Sequence, residues 1–137
     1  MTFRGKPIIL IAGVLVAVLI VAGSVHLLSM DGLQGFLLST FCCSDTTTFS
    51  VKYSDKGFNR IHAGMSARQV EESLGDPIEK FVMQRGNNQA DWLYRVGDGR
   101  FSGWSYSKSR SDSHYRIRVV VFEGDKVVDV LKGFYVD

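Results

Sequence analysis

The sequence predicts an α+β fold: two short helices packed on an antiparallel β-sheet, preceded by an N-terminal transmembrane helix. Three observations predict it. The stretch from Pro7 to Met30 carries no Asp, Glu, Lys or Arg. A short segment, MSARQVEESLGDP, encodes a complete helix with its start and stop signals. Most of the chain beyond Pro77 alternates in the two-residue rhythm of strands, broken by turn residues.

The apolar run Ile8–Val25, IILIAGVLVAVLIVAGSV, has Ser24 as its one polar side chain. A helix needs about 20 mostly apolar residues to cross the hydrocarbon core, and the run extended through Leu28 meets that length. Arg4 and Lys6 precede it and Asp31 is the first charge after it. The positive-inside rule then places the N-terminus in the cytoplasm and the bulk of the chain outside. The expected layout is a cytoplasmic N-terminus at 1–6, a transmembrane anchor at 7–28, a linker at 29–54 and an exported domain at 55–137. The rival is a cleaved signal peptide with a small-residue site near Val21-Ala22-Gly23. It fits less well, because signal h-regions run about 7–15 residues. The expected location is the cytoplasmic (inner) membrane as a single-pass protein, with the C-terminal domain periplasmic or extracellular. The lipid bilayer is its partner through 7–28.

Asp31–Ser44 reads as a spacer near the membrane surface. It ends on the adjacent pair Cys42-Cys43, which meets oxidising conditions in an exported domain. Neighbouring cysteines pair with each other only through a strained ring. A disulfide-linked dimer through Cys42 or Cys43 therefore stands beside the alternative of two thiols without function. A lipidated cysteine would sit directly behind the apolar run, and Cys42 does not.

Thr46–Tyr53 is β-prone, and Ser54–Ala63 holds a short helix with Phe58 and Ile61 inward and Gly64 as its cap. In the next helix Ser66 and Gln69 form a capping box, and Met65 and Val70 a hydrophobic staple. Val70 and Leu74 share a face, Gly75 ends the helix and Pro77 keeps it from resuming. Ile78–Gln84 is a strand closed by the turn-rich Arg85–Gln89. Trp92, Tyr94 and Val96 alternate, Gly97–Gly99 turns, and Phe101, Trp104 and Tyr106 resume the sheet. Lys108–Ser113 reads as a polar loop. His114–Phe122 is a strand with Tyr115, Ile117, Val119 and Val121 on one face and Arg116 and Arg118 on the other. Glu123–Lys126 is a hairpin turn, and Val127–Val136 the last strand.

The string FNRIHAGMSARQVEESLGDP, followed by Trp92-x-Tyr94 and RIRVVVFEGDKVVDV, resembles the SmpA/OmlA (BamE-like) domain family of outer-membrane assembly factors. The residues that carry the resemblance are Gly64, Met65, Ser66, Gln69, Val70, Leu74, Gly75 and Pro77, after the apolar Ile61. It covers about residues 55 to 137 and implies two helices on an antiparallel sheet. It also implies a role in envelope assembly or maintenance. The chain departs from that family in carrying an apolar helix where the assembly factor has a lipidated cysteine, and in the stretch 97–113.

Composition excludes several classes. With 16 Lys and Arg against 14 Asp and Glu, and the surplus at Arg4 and Lys6, the outer part has no basic excess for nucleic acid. Two Cys and three His cannot build a zinc ribbon. His62 and His114 have no metal-ligand partner at helical spacing, and Glu71 and Glu72 point to diverging faces. No nucleophile-elbow, Walker, dinucleotide or zincin motif occurs. The reading is a non-enzyme with no cofactor and no metal. One stretch has functional character: Lys80–Arg118 interleaves eight basic residues with aromatics, the composition of interface hot spots. The expected interface residues are Arg95, Arg100, Trp104, Tyr106, Arg116 and Arg118. The alternative is that these are core rings and a solvated sheet face. The function expected is binding of another envelope component: a protein, lipid or cell wall. The alternative function is an inhibitor or sensor domain acting on a secreted or membrane enzyme.

Overall fold

The computed structural model describes residues 6–42, 44–82, 101–111 and 114–136, the side chains of 6–10 and 42 excepted. The expected turn at Arg85–Gln89, the strand through Trp92 and Tyr94, and the Gly97–Gly99 turn lie outside these residues.

The apolar run is a helix, α1 (Lys6–Leu37), which continues into a π-helical turn, Leu38–Cys42. Among the described residues it is the one helix long and apolar enough to cross a membrane. Ile11, Val14, Leu15, Val18, Leu19 and Val25 all expose their side chains. The helix outruns the expected anchor because nothing in Leu27–Asp31 breaks it. The break comes at Gly32, whose φ of 73° and ψ of 176° are non-helical. Glycine adopts such a positive φ without the Cβ penalty of other residues.

β1 (Thr47–Phe49) is shorter than the expected Thr46–Tyr53. It pairs antiparallel with β4 (Ser107–Ser109), so the start of the expected loop at Lys108 is strand. α2 (Asp55–Phe58) is one turn capped by Ser54, whose hydroxyl accepts from the Gly57 N–H. Ile61 is buried but lies past the end of α2. Gly64 is therefore not a helix cap. It turns the chain with φ 91°, and its N–H donates to the Val127 carbonyl.

α3 (Ala67–Leu74) forms as its local code dictates. The Ser66 hydroxyl accepts from the Gln69 N–H, and the Gln69 side chain accepts from the Ser66 N–H, closing the capping box. Val70 and Leu74 are fully buried and Met65 packs on their cluster. Replacing Ser66 by Ala removes one of two reciprocal bonds. It is expected to cost about 0.5–2 kcal/mol in a urea melt, and an unchanged midpoint would refute the cap.

The main sheet has the order β2–β3–β5–β6, all antiparallel, from β2 (Glu79–Val82), β3 (Phe101–Ser105), β5 (Tyr115–Glu123) and β6 (Lys126–Tyr135). Both faces of β5 are buried. Val120 and Phe122 join Phe58, Val70, Leu74, Tyr106 and Val127 under α2 and α3. Ile117, Val119 and Val121 form a second cluster on the opposite face, with Phe81, Phe101 and Leu131 packed around it. A bulge at Val121/Phe122 sets Val127 opposite Phe122 and keeps both inward.

The third element on the helix-covered face is the end of α1. Met30 is buried in the core cluster and Asp31 is buried beside it. A methyl group built on Gly35 would lie 2.8 Å from Phe134 Cβ on β6, so this glycine permits the close approach. The expected linker 29–54 thus holds a core residue, Met30, and the seat of α1 as well as the strand expected within Thr46–Tyr53.

Candidate functional site

The residues with the most chemistry gather where α1 meets the sheet. Arg118 is on the helix-covered face of β5 and is fully buried. A buried guanidinium must be paired and hydrogen-bonded, and this one is. Nη2 donates to Asp31 Oδ1 at 2.7 Å, Nε to the Tyr53 hydroxyl at 3.0 Å, and Nη1 to the carbonyls of Ile117 at 2.7 Å and Gly133 at 3.3 Å. Asp31 and Arg118 are 87 residues apart in the chain. The second Asp31 oxygen, Oδ2, lies 3.2 Å from Arg116 Nη1. Their orientation makes no hydrogen bond, so this contact is a pairing of charges.

The network extends both ways. Arg116 Nε donates to Asp45 Oδ2 at 2.7 Å, and Asp45 accepts on its other oxygen from the Thr47 N–H and hydroxyl. On the other side Tyr53 donates to Asp55 Oδ1 at 2.7 Å, and His26 Nε2 donates to Asp55 Oδ2 at 2.9 Å. One continuous set of polar contacts therefore runs from α1 at His26, through Asp55, Tyr53, Arg118, Asp31 and Arg116, to β1. Burial alone would raise the pKa of Asp55. The Tyr53 and His26 donors and the Arg118 charge outweigh it and hold the carboxyl below its ordinary value. Asp45 is lowered in the same way, with Thr47 and Arg116 overcoming its burial. Burial, reinforced by the bond to Asp55, raises the Tyr53 phenol well above its ordinary value. The phenol therefore stays protonated, accepting from Arg118 while donating to Asp55.

Of the expected interface residues, the four described, Trp104, Tyr106, Arg116 and Arg118, share no open surface. Tyr106 is fully buried, its hydroxyl donating to the Gly75 carbonyl at 3.3 Å. Arg118 is buried in its ion pair, and Arg116 is pinned between two carboxylates with a side chain only 18% exposed. Trp104 is half-buried. It packs on Phe122 at 4.6 Å between ring centroids and carries the Lys80 ammonium 4.0 Å above its own ring. Arg95 and Arg100 lie outside the described residues. The physical reason is that the face of β5 that carries Arg116 and Arg118 also carries Val120 and Phe122, and α2, α3 and the end of α1 cover it.

The motif residues Gly64 to Pro77 lie at the two ends of α3 and within it. The Gly64 N–H donates to Val127, the Val127 N–H to Met65, and the Ala67 N–H to Asp125, tying the start of α3 to the β5–β6 hairpin. Past the other end of α3 lies a cleft of about 430 Å³, lined by Phe49, Val51, Pro77 and Ile78 together with Lys52 and Lys108. His62 is exposed with Nδ1 near its neighbour's carbonyl, and the His114 carbonyl accepts from Thr46. Among the described residues no three His, Cys, Asp or Glu side chains are placed to hold a metal ion. Cys43 and the Cys42 side chain lie outside the description.

Asp31, Tyr53 and His26 belong to this network without any motif in the sequence that marks them. The signal present is weak: Asp31 is the first acid after the long uncharged run. No family model, curated protein or solved structure matches this chain.

Proposed function

We propose that the protein is a membrane-anchored, non-enzymatic envelope module of SmpA/OmlA-like type. Its N-terminus is cytoplasmic, and its outer domain binds another envelope protein. The observation that carries this reading is the seat of α1. A helix long enough to cross a membrane ends with Met30 and Asp31 inside the core of the outer domain. A domain joined in this way stands at a fixed height above the bilayer. That favours presenting a surface to a neighbouring membrane component over capturing a diffusing one. The capped helix tied to an antiparallel hairpin supports the family reading, and the absence of a catalytic motif in the sequence supports a binding role.

The test combines extraction and topology. After alkaline carbonate treatment the full-length chain is expected in the membrane pellet, and protease added outside spheroplasts is expected to digest the domain. A shortened soluble product would show the helix to be a cleaved signal. Full protection from the protease would reverse the orientation.

A further inference from the structure

The apolar helix is too long for the membrane it would cross. The apolar stretch Ile11–Phe41 counts 31 residues, which as one straight helix would measure about 46 Å. The hydrocarbon core is about 30 Å thick. The run Ile8–Val25 already supplies about 27 Å. Among the described side chains of α1, polar contacts run from His26 to Asp31. The remainder, 33–41, starts after the non-helical Gly32, which frees its direction from that of the span.

This remaining segment has two faces. Gly35 is buried against Phe134 of β6. On the opposite face Leu33, Leu37 and Phe41 recur every fourth residue, 65%, 45% and 74% exposed. Large apolar side chains at that spacing form one stripe along a helical segment. The segment is fixed to the domain on one side and bare on the other.

We infer that Leu33, Leu37 and Phe41 insert into the interfacial layer of the same bilayer that α1 spans. They thereby form a second, in-plane membrane contact that fixes the tilt of the outer domain. The inference rests on the spanning role of α1 proposed above. Three features select lipid as the occupant. The stripe follows the exposed apolar surface of α1 closely in the chain, only Ser29 to Gly32 separating Leu33 from the exposed Leu28. It begins two residues after Asp31, which is about 9 Å along a helix from Val25, just past the headgroup layer of roughly 5–8 Å on each side of the hydrocarbon, so that a segment turning in plane there lies against that layer. The stripe itself is uncharged, with only Gln34, Ser39 and Thr40 as polar neighbours in the segment, as suits insertion at the acyl boundary.

The test uses the full chain, with Cys42→Ser and Cys43→Ser, in phosphatidylcholine vesicles. A nitroxide is attached in turn at Leu33→Cys, Leu37→Cys, Phe41→Cys, Leu19→Cys and Asp125→Cys. The readout is the ratio of collision with dissolved oxygen to collision with a water-soluble nickel chelate. Positions 33, 37 and 41 are expected to show a ratio above one, as at Leu19, with the reverse at the exposed Asp125. Ratios below one at 33, 37 and 41 with Leu19 still in lipid would overturn the in-plane contact and leave the span standing. Dipolar broadening at Leu37, with neither reagent reaching it, would mean that a second copy covers the stripe. That too overturns it. A wet Leu19 would remove the span and this contact with it.

Discussion

Replacing Asp31 by Ala is expected to lower the stability of the outer domain by about 3–5 kcal/mol, the cost of leaving a buried charge without its partner. Arg118 is fully buried, and its Nη2 donates to Asp31. Its remaining hydrogen bonds go to two carbonyls and a phenol, which are neutral. Arginine cannot shed its proton to escape, so the chain must keep an unpaired cation inside or open the seat of α1. Urea unfolding of the full chain in detergent micelles, followed by ring fluorescence, measures the loss. The control is the paired swap Asp31→Leu with Arg118→Met. Removing both charges together is often neutral or stabilising where removing one is not, so the double variant is expected to recover most of the loss. A single Asp31→Ala variant within about 0.5 kcal/mol of the parent, the range of ordinary surface changes, would show that Arg118 reaches water.

The contrast between α3 and Arg118 shows how much is legible in the sequence. Ser66, Gln69, Val70 and Gly75 specify α3 through bonds that span three or four residues, so a local reading suffices. The β5–β6 hairpin is legible for the same reason: its turn and its apolar alternation are adjacent. The partner of Arg118 is not local, and no pattern within β5 names Asp31. Alternation does put Arg116 and Arg118 on the correct face of β5, opposite Ile117, Val119 and Val121. Where it fails is in treating that face as outward. The same face carries Val120 and Phe122, and a run of apolar residues on both faces is the mark of a strand covered twice. Nor is the seat of α1 legible. Gly32 and Gly35 read as spacer glycines, whereas one breaks the helix and the other admits Phe134.

Arg116→Glu is the second large effect, and it separates a structural arginine from an exposed one. As part of an open basic surface, the residue would tolerate reversal with its melt unchanged. Its observed position gives the opposite expectation. Nη1 is 3.2 Å from Asp31 Oδ2 and Nε is 2.7 Å from Asp45 Oδ2, so Glu would bring a third carboxylate between two others. Asp45 is partly exposed and its share is small, because water screens such pairs. The share of Asp31 is large, because its side chain has no exposure. Arg118 alone would then face two carboxylates. The expected loss is about 3 kcal/mol or more, since a buried pair is broken and a like charge put in its place. Arg116→Gln, which removes the charge without reversing it, should lose clearly less. Salt divides the two contributions. Exposed charges are screened beyond about 3 Å at 1 M ionic strength, whereas buried ones are screened much less. High salt should therefore restore only the Asp45 part of the loss. A reversed variant that melts with the parent would place Arg116 in solvent and return it to the candidate interface. A variant that loses its fold removes Arg116 from any binding surface and makes it part of the joint that holds the outer domain on α1.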